Sequence, residues 1–118
     1  MSHTAEVKCE VRDAAAIQAA CRRVGAQYLG RKQHKLFSST NEGHGVKLKD
    51  WRFPVVFDGK GNVALDDFHG HWGKVAELDK FKQAYAVEAA KAAARKQGLA
   101  VSEQKLADGS IKLVCRST

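Results

Sequence analysis

Hydrophobic and polar positions alternate near both ends of the chain. Residues 5–11 alternate small apolar side chains with charged ones, which is the two-residue period of a strand with one buried face. Residues 99–101 and 111–115 alternate in the same way on either side of the dipeptide Asp108-Gly109. Because Asp-Gly suits a type I′ turn, the pattern predicts a first strand and a C-terminal β-hairpin.

Two segments instead carry apolar residues at the three- and four-residue spacing of an amphipathic helix. The first begins after Asp13, a good N-cap residue, and ends at Gly25. The second is rich in alanine, spans residues 75–97 and ends at Gly98. The predicted core-facing positions are Ile17, Ala20, Cys21 and Val24 in the first helix, and Leu78, Phe81, Tyr85 and Ala92 in the second.

The middle of the chain is less regular. Residues 41–45 predict a turn because glycine and asparagine accept positive φ. Residues 58–62 predict a loop, and Pro54 predicts an edge strand because proline cannot donate to a central ladder. The predicted short strands are residues 26–30, 35–39, 53–57 and 63–65.

The order of elements is therefore β-α-β-β-β-β-α-β-β, with connections mostly too short for a crossover. A length of 118 residues is typical of one domain. We expect a single α+β domain over residues 1–118, a sandwich with an antiparallel or mixed sheet and both helices on one face. A ferredoxin-like layout is an analogy at the level of the fold.

Composition places the chain among ordinary globular proteins, with 44% hydrophobic and 28% charged residues. The formal net charge of +7 favours acidic or polyanionic partners. We find neither a signal-peptide pattern nor an apolar stretch of membrane-spanning length in the sequence, so no membrane partner and a cytoplasmic location are expected.

The three cysteines are Cys9, Cys21 and Cys115. Their odd number and wide separation argue against a disulfide framework and against a zinc knuckle. Each falls where the apolar period requires a core residue, so we predict buried structural thiols, with a redox or catalytic role as the alternative.

Basic and aromatic residues concentrate in the middle of the chain and are the predicted binding residues. They are Arg31, Lys32, His34, Lys35, Lys47, Lys49, Trp51 and Arg52. The favoured interpretation is a non-enzymatic interaction module that binds a protein partner, such as an acidic protein, through this region or through a free sheet edge. A homo-oligomer formed through that edge is compatible with this interpretation.

The same residues also allow two other interpretations. A basic sheet face with interleaved aromatic rings, among them Phe37 and Phe53, is typical of single-stranded nucleic-acid binding. Alternatively, the cations are solvated strand residues that keep the protein soluble, and Trp51 and Phe53 belong to the core.

His69 and His71 lie two residues apart, so in an extended segment their side chains share a face. Asp66 or Asp67 would be a third ligand for a metal ion. Because a metal site requires three or four convergent ligands, we predict no metal and no cofactor, and expect these histidines to cap the second helix or to be solvated.

Motifs of catalysis are missing from the sequence. It contains neither a phosphate-binding glycine loop nor a nucleophile elbow, and no histidine is paired with a cysteine in the predicted core. Gly59 and Gly61 precede a strand and not the helix N-terminus that anion binding requires. We therefore predict that the protein is not an enzyme.

Several short segments carry a family resemblance. They are residues 1–3, 11–13, 72–73, 84–87, 98–101 and 108–114. On these segments the chain resembles an uncharacterised family, a domain of unknown function first catalogued as a conserved reading frame of algal plastids and cyanobacteria and also found in other bacteria and phages. The resemblance implies an adaptor or accessory subunit with an AAA-class ATPase as a candidate partner. His69 and His71 depart from the family pattern.

Overall fold

This computed structural model describes residues 11–117 of the chain, which contain two helices and six strands. In chain order they are α1 (Ala14–Val24), β1 (Gln27–Lys35), β2 (Thr40–Lys47), β3 (Val55–Phe57), β4 (Val63–Ala64), α2 (Val75–Lys96), β5 (Leu99–Lys105) and β6 (Ile111–Ser117). The strand predicted over residues 5–11 falls, apart from its last residue, outside the described range, as does Cys9.

The strands form two antiparallel sheets. β1, β2, β3 and β4 follow one another in a four-stranded meander, and β5 pairs with β6 in a separate hairpin. The predicted α+β class and antiparallel pairing are confirmed. Between residues 11 and 117 the strands do not interleave as they would in a ferredoxin-like sheet.

Both ends of α1 follow from local chemistry. The Asp13 side chain accepts hydrogen bonds from the backbone N–H groups of Ala15 (2.9 Å) and Ala16 (3.2 Å), which caps the first turn. Gly25 ends the helix in the left-handed region, at φ 73°. The buried residues of α1 are Ala16, Ile17, Ala20 and Cys21. The predicted first helix is confirmed at both ends.

β1 and β2 form a longer hairpin than the sequence predicts. β1 continues through residues 30–32, which separate two predicted strands. The turn lies at residues 36–39, where the Leu36 N–H donates to the Ser39 carbonyl at 2.8 Å. Residues 41–45 lie inside β2, so the turn predicted there was wrong.

Close packing explains the glycines of β2. A Cβ atom at Gly45 would overlap the imidazole of His34, and one at Gly43 would overlap the Phe57 carbonyl. These glycines allow neighbouring groups to approach the backbone, which is a recognised role of glycine inside strands. Composition alone does not distinguish this role from a turn.

β3 is paired on both sides, with β2 and β4, so the edge strand predicted from Pro54 was wrong. Pro54 immediately precedes Val55, the first residue of β3, and its missing N–H therefore lies outside the ladder. The predicted hairpin from β3 to β4 is confirmed. Its loop is held by Asp58, whose Oδ1 accepts from the N–H groups of Lys60 (2.7 Å) and Asn62 (3.1 Å).

The core lies between the two helices and one face of the meander. Phe57 of β3 stacks on Phe81 of α2 with ring centroids 5.4 Å apart, and both rings are buried. Burial of such a ring contributes roughly 1.5–3 kcal/mol. The Tyr85 hydroxyl of α2 accepts hydrogen bonds from the N–H groups of Arg12 (3.1 Å) and Asp13 (3.2 Å), which connects α2 to the start of α1.

Ion pairs connect the C-terminal hairpin to both helices. The Arg23 guanidinium of α1 lies 2.8 Å from a Glu103 carboxylate oxygen on β5 and 3.3 Å from a Glu88 oxygen on α2. Lys91 of α2 lies 3.0 Å from the other oxygen of Glu103. The predicted long second helix is confirmed as α2.

The part of the chain described here contains no helix long and apolar enough to cross a membrane.

The C-terminal hairpin differs from its prediction in two respects. Its turn contains three residues, with Gly109 at φ 89° donating its N–H to the Leu106 carbonyl. This is the three-residue form with a left-handed last position, not a two-residue type I′ turn. Cys115 is exposed, so its predicted burial was wrong. A two-stranded hairpin packed on one helix cannot bury all of its alternating positions.

Candidate interaction surface

The predicted basic residues do not form one surface. Arg31 and Lys32 are exposed neighbours on β1, so their side chains leave opposite faces of the sheet. Lys35 lies exposed at the end of β1, whereas Lys47 pairs with Gln27 at the opposite end of the β1–β2 ladder. The continuous basic face required by the nucleic-acid interpretation is therefore not assembled from these residues.

Two of the predicted binding residues belong to the interior, which corrects their assignment. His34 is only 5% exposed; its ring lies on Gly45, and its Nε2 is 3.0 Å from the Gly30 carbonyl oxygen. Trp51 is 1% exposed, and its Nε1–H donates to the Lys74 carbonyl at 3.1 Å. Both side chains complete the packing and are not available to a partner.

Lys49 lines an open cleft of about 360 Å³ between α1, α2 and the start of β6. Most other polar groups of this cleft have partners within the chain. Lys80 pairs with Glu77 at 3.3 Å, and the Gln83 side chain donates to the Gly109 carbonyl at 3.1 Å. Arg23, also in the cleft, belongs to the ion pairs with the hairpin. Most polar side chains of the cleft therefore serve contacts within the chain, between the elements that surround the cleft.

Arg52 has a different environment, because its guanidinium lies over the rings of Phe53 and Trp72. These two rings belong to a group of four that the loops bring together. We call Phe37, Phe53, Phe68 and Trp72 the aromatic surface. The ring centroids of Phe37 and Phe53 lie 5.0 and 5.4 Å from that of Trp72, and Phe68 stacks on Trp72 at 4.8 Å. Phe37 is 65% exposed and Phe68 is 55% exposed.

Hydrogen bonds from separate loops hold the aromatic surface together. In the β1–β2 turn, the Phe37 N–H donates to the Asp66 carboxylate at 2.9 Å. The Arg52 N–H donates to the Trp72 carbonyl at 2.7 Å. The segment between β2 and β3 is thereby joined to the segment before α2. Rings distant in sequence are consequently fixed side by side.

Phe68 occupies a strained turn. Phe68 and His69 adopt φ of 46° and 54°, and Gly70 follows at 88°. The Gly70 N–H bonds to the Asp67 carbonyl, and the His71 N–H bonds to that of Phe68, each at 3.0 Å. Left-handed backbone costs roughly 1–2 kcal/mol per non-glycine residue. The strained backbone thus coincides with the solvent-exposed ring of Phe68. Backbone strain of this kind is often found at functional sites.

His69 and His71 are exposed and lie next to Phe68, with ring centroids 6.1 and 5.4 Å from that of Phe68. Asp66 is engaged by the backbone of the β1–β2 turn. Within residues 11–117, no group of three or more histidine, cysteine, aspartate or glutamate residues is arranged to hold a metal ion.

Two buried titratable groups have structural explanations. Burial, followed by the charge of Arg31, lowers the pKa of His44, and its Nδ1 lies 2.9 Å from the Tyr28 hydroxyl. Burial raises the pKa of the Cys21 thiol to about 11. A thiol of this kind stays protonated at neutral pH and is a poor nucleophile.

The sequence indicates part of this surface, since Arg52 is a predicted binding residue and Phe37 and Phe53 are aromatic neighbours of basic residues. It does not indicate Phe68. The available signal is limited to Phe68 and Trp72, which lie in a segment to which the sequence assigns neither helix nor strand, whereas Phe37 and Phe53 lie in predicted strands.

Comparison of the chain with protein-family models, curated proteins and solved structures finds no match. The resemblance to the plastid and cyanobacterial family therefore stays a prediction. Functional inference rests on the residues of the chain itself.

Proposed function

We propose that the protein is a small, non-enzymatic interaction module that binds a segment of a partner protein through the aromatic surface. The observation that carries the proposal is the exposure of Phe37 and Phe68 on a scaffold that includes a strained turn. Exposed apolar patches rimmed by polar groups are characteristic of interaction sites.

Composition supports a protein partner. Aromatic residues and arginine are enriched at protein interfaces and dominate their binding energy. The aromatic surface joins Phe and Trp rings to Arg52, whose guanidinium lies 5.2 Å from the Trp72 ring centroid. An AAA-class ATPase, the partner implied by the family resemblance, is one candidate.

Ring geometry favours protein over nucleic acid. Base stacking requires open ring faces along a basic groove. Here Phe53 meets both Phe37 and Trp72 edge to face, with interplanar angles of 60° and 66°, so these rings are not aligned as a series of parallel platforms for successive bases. Arg31 and Lys32 of β1 point to opposite faces of the sheet, so they do not line one basic groove.

The proposal can be tested by selecting displayed random peptides of about twelve residues on the wild-type protein and counter-selecting on a Phe37→Ser/Phe68→Ser double variant. Both side chains are exposed, so the variant should keep its circular dichroism spectrum and melting temperature. Binding of selected peptides would be measured by fluorescence anisotropy, with an oligothymidylate run in parallel.

Peptides that bind the wild type at least roughly tenfold more tightly than the double variant would support the proposal. Failure to enrich any peptide, or equal binding to both proteins, would contradict it. If only the oligothymidylate binds, and the double variant loses that binding, the nucleic-acid alternative replaces the proposal.

A further inference from the structure

Arg52 is the charged residue next to the aromatic surface and is held in place by contacts with two of its rings. Its guanidinium carbon lies 5.2 Å from the Trp72 ring centroid and 5.7 Å from that of Phe53. Within residues 11–117 it takes part in none of the ion pairs, which involve Arg23, Lys80 and Lys91. Its positive charge is therefore not neutralised by a carboxylate of the described chain.

The ring contacts prepare this guanidinium for a partner. Guanidinium is planar and carries its N–H donors in the plane, so an aromatic ring can cover a face and leave the donors accessible. Such a fork matches the two oxygens of a carboxylate. Because the rings already restrict the side chain, less rotamer entropy is lost when a partner binds.

Neighbouring charges make an anionic partner favourable. The carboxylate of Asp66, next to this surface, is already engaged by the backbone N–H groups of Phe37 (2.9 Å) and Ser38 (3.4 Å). Lys35 is exposed two residues before Phe37. The chain as a whole has a net charge of +7, so long-range attraction also favours an acidic segment.

We propose, building on the protein-binding function above, that the partner segment carries an aspartate or glutamate beside a large apolar residue. The carboxylate pairs with the Arg52 guanidinium, and the apolar side chain packs on Phe37 and Phe68. Arg52 is then the residue that selects acidic over neutral segments, while the phenylalanines supply the apolar contact.

The test uses four labelled peptides of about twelve residues. The first alternates aspartate with phenylalanine and glycine. The second replaces each aspartate with asparagine, the third replaces each phenylalanine with serine, and the fourth replaces each aspartate with lysine. Anisotropy titrations would compare the wild type with Arg52→Gln. The control is Arg116→Gln, which removes the same charge from an exposed position on β6.

The expected result is that the wild type and Arg116→Gln prefer the aspartate peptide over the asparagine peptide by roughly tenfold. Arg52→Gln should abolish that preference and still bind the asparagine peptide as the wild type does. Raising the salt concentration should weaken only the aspartate peptide's binding.

Three results would overturn this inference. They are equal binding of the aspartate and asparagine peptides, an unchanged preference in Arg52→Gln, and no binding of the aspartate peptide up to about 1 mM. Either of the first two results leaves the proposed function standing if the Phe37→Ser/Phe68→Ser variant still fails to bind the selected peptides. The surface would then bind protein segments without distinguishing acidic from neutral ones. Failure to enrich any peptide in the earlier experiment, or equal binding to the wild type and the double variant, would instead contradict the proposed function itself.

Discussion

Trp51 and Gly73 are in direct contact: the indole ring lies so close to the Gly73 backbone that a Cβ atom at this position would overlap it. The indole also donates a hydrogen bond to the Lys74 carbonyl at 3.1 Å. This buried contact anchors the segment that carries Trp72 and leads into α2. The contact between Trp51 and Gly73 therefore joins the aromatic surface to the core.

Gly73→Ala should lower the free energy of unfolding by roughly 1–3 kcal/mol, because the added methyl group forces a well-packed ring to move. Urea denaturation monitored by tryptophan fluorescence and circular dichroism would measure the loss. The matched test is a double-mutant cycle with Trp51→Leu. The alanine should cost less in that background, where the smaller side chain leaves room; an equal cost in both backgrounds would contradict the contact.

The strained turn predicts that the stability of the protein depends on the backbone preference of residue 69, although the side chain of this residue is exposed. His69→Val should destabilise the protein by about 1 kcal/mol or more, because β-branched residues are poorly tolerated at positive φ. His69→Asn should be neutral or stabilising, since asparagine tolerates this conformation. Thermal denaturation of the two variants provides the comparison. A valine variant as stable as the asparagine variant would show that the turn does not adopt φ of 54° at this residue.

The ion pairs around Glu103 predict a pH dependence. The hydrogen bond from Lys91, followed by that from Arg23, holds the pKa of Glu103 below its ordinary value of 4.5. A carboxylate whose pKa is lower in the folded state stabilises the fold above its unfolded pKa, and this contribution disappears as the pH falls through the folded pKa.

Glu103→Gln should therefore destabilise the protein at pH 7 and have a smaller effect at an acidic pH below the folded-state pKa of Glu103, where the wild-type carboxylate is protonated. Urea midpoints at the two pH values would measure the difference. Glu42→Gln on β2 is the control, since Glu42 is exposed and belongs to none of the ion pairs within the described residues. A destabilisation by Glu103→Gln that is the same at both pH values would exclude an electrostatic role.

The two cysteines in the described range should react at very different rates. Cys115 is exposed on β6, whereas Cys21 is buried in α1 and its pKa is raised to about 11. In a Cys9→Ser background, a disulfide reagent at about pH 8 should modify Cys115 rapidly and Cys21 only after unfolding in urea. Peptide mass spectrometry would assign the sites. Comparable labelling of both thiols in the native protein would contradict the burial of Cys21.

Local sequence signals predicted the elements whose ends are set by neighbouring residues. Asp13 and Gly25 bound α1 because capping and left-handed conformation are properties of those residues themselves. Apolar periodicity similarly identified the buried face of α2 and the two strands of the C-terminal hairpin. These predictions required no knowledge of what the elements pack against.

Predictions failed where a residue's role depends on a distant contact. Gly43 and Gly45 suggested a turn, but they lie in β2 because Phe57 and His34 press against their backbone. Cys115 follows the strand alternation and is still exposed, because burial requires a covering layer as well as the right face.

The amino-acid sequence by itself determined the α+β class, the two helices, the loop at residues 58–62, the location of the C-terminal turn and the basic character of this protein, since these depend on composition and short-range periodicity. Only the tertiary structure decided which residues form the candidate site. It buried His34 and Trp51, separated the lysines, and brought together Phe37, Phe53, Phe68 and Trp72 from three segments of the chain. It also placed the Arg52 guanidinium over the rings of Phe53 and Trp72. The physical reason is that loop residues have no periodicity to indicate their neighbours, so long-range packing and backbone hydrogen bonds alone bring them together.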